Sequence, residues 1–159
     1  LAQYALGCGM NVIAFDPMDI PMTVSIQFGT SQNVEVEVSK ATMEEILQQS
    51  DFVSLHIPGT SSGEAVVGAK ELAMMKPTAG LINAARGGVV DEDALLNALN
   101  QEQLGFAALD VFKNEPTPNA ALLNHSKISV SPHIGAATLE SQDRIGEDLA
   151  DQIIELLKD

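Results

Sequence analysis

The stretch LINAARGGVVD, residues 81–91, sets an arginine in a glycine-marked turn between a short apolar run and the acidic start of a predicted helix. The apolar start predicts a buried strand, and the glycine pair marks the turn that ends it. Open α/β sheets bind their ligands at the carboxyl ends of the strands, which is where Arg86 falls. The stretch therefore predicts an α/β fold with a binding site at the end of this strand.

The rest of the chain repeats this alternation of strand and helix. Strands are predicted over residues 11–15, 34–38, 52–56, 81–83, 105–111 and 128–130. Helices are predicted over residues 42–49, 70–75, 91–99 and from 138 nearly to the end. The longest stretches without a predicted element are residues 18–33 and 113–127. Alternating β and α elements predict a doubly wound parallel sheet.

Three patterns give these elements their expected environments. The period-two alternation of residues 34–38 predicts an edge strand with one face in water. Residues 52–56 and 105–111 predict buried strands. The last helix has an apolar face that carries Ile145, Leu149, Ile153 and Leu156.

Length, composition and charge narrow the class of protein. A chain of 159 residues, 45% of them hydrophobic, is long enough for one domain with a sizeable core. No apolar run approaches the roughly 20 residues of a membrane helix, so we expect no membrane partner. The single cysteine, Cys8, cannot form an internal disulfide, which fits a cytoplasmic protein. The net charge of −14 would repel a phosphate backbone, so we expect no nucleic-acid partner either.

Two further motifs also place polar residues just after apolar runs. They are ALDVFKNEP, residues 108–116, and SPHIGAAT, residues 131–138. Together with the opening stretch they supply Arg86, Glu115 and His133.

The three motifs and their spacing resemble the NAD-binding domain of the D-isomer-specific 2-hydroxyacid dehydrogenases, from Leu1 to Asp159. Within that family they are most similar to the members that oxidise D-3-phosphoglycerate in serine biosynthesis. The resemblance implies a Rossmann-like fold and hydride transfer between NAD and a small D-2-hydroxy acid or 2-oxo acid. It also implies a homo-oligomer, a dimer or tetramer, formed through the cofactor domain. We expect no metal ion.

The chemistry of such a reaction assigns a role to each of the three residues, and the family implies the same triad. Arg86 can hold a substrate carboxylate through two parallel hydrogen bonds, which a lysine cannot do. His133 can take or give the hydroxyl proton, and the Glu115 carboxylate favours the protonated ring. Taken singly, each residue has a plainer interpretation as a surface ion-pair partner, a loop histidine or a solvated acid. Their coincidence favours catalysis.

The cofactor contacts are predicted partly from position and partly from the resemblance. Asp16 follows the strand over residues 11–15, where a carboxylate accepts hydrogen bonds from a ribose 2′-hydroxyl and repels a 2′-phosphate, so we expect NAD. His56 ends the strand over residues 52–56, and we interpret it as lining the cofactor cleft because no carboxylate is placed to orient it. Arg86 and His133 would border the same cleft. By resemblance the cleft also contains Ile57, Pro58, Ala84, Ala85, Asp110, Gly135 and Ala136, with Asp110 near the nicotinamide amide.

The start of the chain departs from a complete dinucleotide-binding domain. Such a domain opens with a strand running into a Gly-x-Gly-x-x-Gly loop, whereas residues from Leu1 onward predict the following helix. Residues 7–12 lack the third glycine and precede a strand. In the strand order 3-2-1-4-5-6 the first strand is central, so without it we expect two half-sheets with unpaired edges. We therefore expect residues 1–159 to be a partial NAD-binding domain of a longer enzyme, without its substrate lobe.

Alternatives from other classes remain open. One is a different D-2-hydroxyacid dehydrogenase, for example one acting on glycerate and hydroxypyruvate. A second is an NAD-sensing binding protein, because C-terminal-binding transcriptional corepressors resemble the same domain. A third is a folded interaction fragment without activity.

Overall fold

The computed structural model describes residues 1–29, 31–60 and 63–158. The helices in chain order are α1 Ala2–Gly7, α2 Met43–Gln49, α3 Ala69–Leu72, α4 Glu92–Asn100, α5 Ala120–Leu123 and α6 Leu139–Leu156. The strands are β1 Ile13–Ala14, β2 Thr23–Phe28, β3 Gln32–Glu37, β4 Ser39–Lys40, β5 Phe52–Leu55, β6 Gly80–Asn83, β7 Phe106–Leu109 and β8 Ile128–Val130. The predicted Rossmann-like α/β fold is confirmed.

A four-stranded parallel sheet in the order β5-β6-β7-β8 forms the centre of the fold. Leu55, Asn83, Leu109 and Val130 lie side by side in its register. The four strands therefore end almost level, and the loops that follow them meet along one edge of the sheet.

The core covers one face of this sheet. Leu81, Leu95, Leu99, Leu104 and Leu122 are at most 1% exposed and belong to one apolar cluster. Burying a leucine side chain contributes about 1.5–3 kcal/mol, so this cluster is a main source of the stability of the sheet.

The opposite face of the sheet is more open, which corrects the prediction that residues 52–56 are buried. Phe52 is 57% exposed and packs edge-on against Phe106, with ring centroids 5.8 Å apart. Of residues 52–56 only Val53 is buried. An apolar run of this length does not show which of the two strand faces a helix will cover.

The predicted helix starts agree with the structure. Thr42 and Glu45 form a capping box at the start of α2. The Asp91 carboxylate accepts the backbone N–H groups of Asp93 and Ala94, each at 3.0 Å, at the start of α4. These caps satisfy backbone donors that have no partner inside the helix.

Residues 18–33 were expected to be irregular, and this is wrong. They contain β2, which pairs antiparallel with β3 across the Gly29 turn, where φ is +63°. Val24 and Ile26 alternate with polar residues along β2, and they lie opposite Val36 and Val34 of β3. The alternating pattern of a β-strand is therefore present in the sequence of β2. The strand is stabilised only by its cross-strand partners in β3.

Two smaller corrections concern the other irregular segment and the last helix. Residues 113–127 contain the short helix α5, which Asn119 caps by accepting the backbone N–H of Ala121 at 2.9 Å. The apolar face of α6 exists as predicted, but none of the residues of that helix is buried.

The parallel strands fall into two separate sheets in the described part of the chain. β1 pairs only with β4, while β5 begins the four-stranded sheet, and the structure has no ladder between β1 and β5. This agrees with the expectation of two half-sheets. No helix among the described residues is both long and apolar enough to cross a bilayer.

Candidate active site

The predicted site residues follow consecutive strands of the four-stranded sheet. His56 follows β5, Arg86 follows β6, Glu115 follows β7 and His133 follows β8. Because these neighbouring strands are parallel and end level, the loops that carry the residues lie next to one another.

The turn that carries Arg86 is held by a buried amide. Asn83, 2% exposed, accepts the backbone N–H of Ala85 at 3.1 Å and donates to the carbonyl of Arg86 at 3.0 Å. Asp110 also donates its backbone N–H to the Asn83 carbonyl at 2.9 Å. These hydrogen bonds hold the backbone of the turn against the end of β6.

The Arg86 side chain is exposed and available to an anion. Its Nη1 donates to the Ala85 carbonyl at 2.7 Å. Among the described residues no carboxylate lies within ion-pair distance of the guanidinium. The paired donors that suit a carboxylate are therefore not consumed by an internal acid.

Gly87 couples the arginine turn to the loop after β7. A Cβ atom at this position would lie 1.9 Å from the Phe112 carbonyl oxygen, so only glycine allows this approach. Phe112 in turn donates its backbone N–H to Oε1 of Glu115 at 2.9 Å. The Arg86 turn and the Glu115 loop therefore pack backbone against backbone.

Glu115 and His133 form a direct pair. Oε2 of Glu115 lies 2.7 Å from Nδ1 of His133, and the two side chains are 35% and 50% exposed. The hydrogen bond from His133 lowers the pKa of Glu115 from its usual value, and the backbone N–H of Phe112 adds to this. An ionised carboxylate only accepts hydrogen bonds, so Nδ1 carries the proton and Nε2 is the ring atom left for proton transfer.

Asp110 organises the turn that carries His133. Its Oδ1 accepts the Ser131 hydroxyl at 2.6 Å and the Ile134 N–H at 2.9 Å, and its Oδ2 accepts the Gly135 N–H at 2.9 Å. These bonds surround His133, whose φ of +55° is rare for a residue with a side chain.

The charge state of Asp110 follows from the same contacts. Burial by itself raises the pKa of this carboxyl, which is 8% exposed. The hydrogen bonds from Ser131, Ile134 and Gly135, together with the charge of His133, outweigh burial, so the pKa is lowered. Asp110 therefore binds the turn as a carboxylate.

In the structure Asp110 binds the turn that carries His133, whereas the sequence predicted a contact with the nicotinamide amide. Both of its oxygens are engaged by the histidine turn, while Gly135 and Ala136 of that turn are exposed. The predicted contact of these residues with a cofactor stays a prediction.

Asp16 lines a pocket at the end of β1. The pocket has a volume of about 220 Å³ and is bordered by Ala14, Phe15, Asp16, Pro17, Met18, Asp19, Met22, Lys40, Ala41 and Thr42. The backbone N–H of Met18 donates to Oδ1 of Asp16 at 2.8 Å and turns the chain just after the strand. A carboxylate beside apolar side chains suits the ribose and base of an adenosine.

The remaining predicted cleft residues lie at the same edge of the central sheet. His56 is exposed, and its Nε2 lies 3.0 Å from the Ser54 hydroxyl. Ile57 and Ala85 are partly buried, whereas Pro58 and Ala84 are exposed.

Sequence reasoning missed three of the residues that position the triad. Asn83, Gly87 and Ser131 act through the hydrogen bonds and the backbone contact described above. A polar Asn at the end of an otherwise buried strand was the available signal for Asn83. The bond of Ser131 and the contact of Gly87 depend on residues of another loop, which one sequence does not show.

Metal chemistry has no evident ligand set here. Within residues 1–29, 31–60 and 63–158, no group of three or more His, Cys, Asp or Glu side chains is arranged to hold a metal ion.

Comparison with known proteins gives consistent matches. Residues 1–135 match the family model described as D-isomer specific 2-hydroxyacid dehydrogenase, NAD binding domain. D-3-phosphoglycerate dehydrogenase of Synechocystis is 38% identical over 157 residues, which cover 99% of this chain and 27% of that protein.

Solved structures with the same fold carry either nicotinamide cofactor. The NAD complex of a D-isomer specific 2-hydroxyacid dehydrogenase from Lactobacillus delbrueckii superposes with a TM-score of 0.78 at 27% identity, over 99% of this chain and 49% of that chain. An NADPH-dependent glyoxylate/hydroxypyruvate reductase from Sinorhizobium meliloti was solved with NADP and malonate. It superposes with a TM-score of 0.70 at 29% identity, over 88% of this chain and 40% of that chain. The chain spans about a quarter of the length of the curated relatives that it matches.

Proposed function

Because this chain belongs to the D-isomer-specific 2-hydroxyacid dehydrogenases and matches their NAD-binding domain, we propose that the full-length protein oxidises a D-2-hydroxy acid with NAD. D-3-phosphoglycerate is the substrate that we favour, because the relatives from Synechocystis and Sus scrofa are named D-3-phosphoglycerate dehydrogenase. The remainder of the protein would supply the substrate lobe, and this chain the cofactor side of the site.

The pair of Glu115 and His133 beside the Arg86 turn is the observation that carries this proposal. A proton acceptor and a carboxylate-binding cation are the two groups that the reaction requires from the protein. Here Arg86, Glu115 and His133 follow the three consecutive parallel strands β6, β7 and β8, and the Gly87 contact joins the arginine turn to the glutamate loop.

The protein-side steps follow from the atoms that are free. In oxidation the neutral His133 ring accepts the substrate hydroxyl proton at Nε2, while Nδ1 keeps its hydrogen bond to Glu115. In reduction the protonated ring returns that proton to the forming alkoxide. Arg86 binds the substrate carboxylate and holds the reacting carbon in place.

The residues present fit NAD. The Asp16 pocket would take the adenosine end, and the exposed edge beyond β5, β6, β7 and β8 would take the nicotinamide end. When bound, NAD supplies the acceptor for the hydride.

The test is a substrate panel on the full-length protein. We would follow NADH absorbance with D-3-phosphoglycerate, D-glycerate and D-lactate, with the L-isomers as controls. We expect kcat/KM to be highest for D-3-phosphoglycerate and no turnover of the L-isomers. Preferred oxidation of D-glycerate would instead indicate a glycerate/hydroxypyruvate enzyme. NAD binding without turnover of any of these acids would contradict the proposal and favour an NAD-sensing binding protein.

A further inference from the structure

The pocket beside Asp16 contains a second acid and a lysine that no predicted contact uses. Asp19, in the loop after β1, and Lys40, in β4, form an ion pair with Oδ1 and Nζ 2.5 Å apart. Both side chains border the same pocket as Asp16. The hydrogen bond from Lys40, and then its charge, lower the pKa of Asp19, so the acid is ionised when it pairs.

The register of the small sheet places these charges at one end of the pocket. Lys40 lies directly opposite Ala14 in the parallel ladder of β1 and β4, and Asp16 follows Ala14 by two residues. Among the described residues, the charged groups that line the pocket are thus two carboxylates and a single ammonium group. An ammonium free to reach the end of β1 is the kind of group that binds a phosphate as a point charge.

We propose that Asp19 is a second cofactor-specificity residue, which pairs with Lys40 and so removes the pocket's cation from the reach of a 2′-phosphate. The inference rests on the proposed function, since it assumes that the Asp16 pocket receives the adenosine end of the cofactor. It assigns the preference for NAD to two acids: Asp16 repels the phosphate, and Asp19 occupies the lysine that would attract it.

Exposure of the pair supports a role in specificity over one in stability. The side chains of Lys40 and Asp19 are 51% and 97% exposed. Exposed ion pairs contribute little to folding, because solvent screens them and both side chains lose freedom. Their local charge still acts on a ligand that binds within a few ångströms, and this action weakens with salt.

The variants form a double-mutant cycle in the full-length protein. Binding of NADH and NADPH is measured by titration calorimetry for the wild type, Asp19→Asn, Lys40→Met and the double variant, at low and at physiological salt. Asp51→Asn is the matched control, because Asp51 forms a 2.8 Å pair with Lys76 at the amino end of β5, the end opposite the cleft.

We expect Asp19→Asn to reduce the ratio of the NADPH to the NADH dissociation constant about fivefold at low salt. The affinity for NADH should stay close to that of the wild type. The change should shrink at physiological salt and be absent in the Lys40→Met background. Asp51→Asn should leave the ratio unchanged.

Several results would overturn the inference. An equal effect of Asp19→Asn with and without Lys40 would show that the acid acts without the lysine. An equal effect of Asp51→Asn would reduce the result to net charge. If Asp19→Asn left the binding of both cofactors unchanged but lowered the melting temperature, the ion pair would only stabilise the packing of the loop against β4. A wild type that binds neither cofactor would remove the proposed function and this inference together, whereas NADH binding with no response to Asp19→Asn would remove the inference alone.

Discussion

Nδ1 of His133 and Oε2 of Glu115 lie 2.7 Å apart, although the two residues are 18 positions apart and sit in loops after different strands. This contact fixes which ring nitrogen faces the carboxylate. It therefore leaves Nε2 for the substrate, and it makes the charge of Glu115 part of the acid–base behaviour of the site.

Replacing Glu115 by Gln should disturb the orientation of His133. Oε1 of Glu115 accepts the backbone N–H of Phe112, and Oε2 contacts Nδ1 of His133. A glutamine has only one acceptor oxygen, and its amide nitrogen only donates, so it cannot keep both contacts. We expect a lower kcat with little change in the substrate KM, which steady-state kinetics on the full-length protein measure. An unchanged kcat would remove Glu115 from the acid–base pair.

His133 and Arg86 should affect different kinetic constants. His133→Asn keeps a residue type that tolerates positive φ and should lower kcat by roughly 10²–10⁴. Arg86→Lys keeps the charge but loses the paired donors, so it should raise the substrate KM as well as lower kcat. Initial rates over a range of substrate concentrations separate the two. Equal loss of kcat alone in both variants would contradict the assigned role of Arg86.

Gly87→Ala should damage the site through the backbone. The added Cβ would lie 1.9 Å from the Phe112 carbonyl oxygen, so one of the two loops must move. We expect a loss of about 2–3 kcal/mol in unfolding free energy, together with lower activity. Gly88→Ala is the control, because Gly88 has a φ of +80° but a Cβ added there would meet no atom within 4 Å. An equal or smaller loss for Gly87→Ala would show that the contact between the loops does not constrain the site.

Asp110→Asn should loosen the histidine turn. The amide nitrogen cannot accept the N–H groups that the carboxylate binds, and hydrogen bonds to a charged group contribute about 1.5–3 kcal/mol. We expect a lower kcat with little change in the dissociation constant of NAD. Ser131→Ala removes one of the three bonds and should have a smaller effect. Weaker NAD binding with normal kcat would instead support the predicted contact with the nicotinamide amide.

Stability should depend on pH through the same two acids. In the folded protein the pKa values of Asp110 and Glu115 lie below the usual values of these carboxyl groups, because both accept several hydrogen bonds. Their contribution to stability is thus present above the unfolded pKa and is lost as pH falls through the lower folded pKa. Denaturant unfolding at a series of acidic pH values should show a shallower loss of stability for Glu115→Gln than for the wild type.

The sequence predicts the sheet, and the positions of Arg86, Glu115 and His133 after its strands, because both depend on local patterns. Apolar runs followed by Arg86, Glu115 and His133 identify the strand ends without knowledge of tertiary contacts. The β2 strand and the bond of Ser131 to Asp110 were not predictable in the same way. Each depends on a partner that the fold brings in from a distance, 21 residues away in the case of Ser131.

The backbone at His133 also limits how this site can evolve. A φ of +55° is tolerated by Gly, Asn, Asp and a few other residues, but it is a serious strain for a β-branched side chain. If proton transfer were lost during evolution, only a few residue types, mainly Asn and Gly, could replace His133 without a large loss of stability. The shape of the turn thus restricts the mutational routes from an enzyme to a cofactor-binding protein without activity.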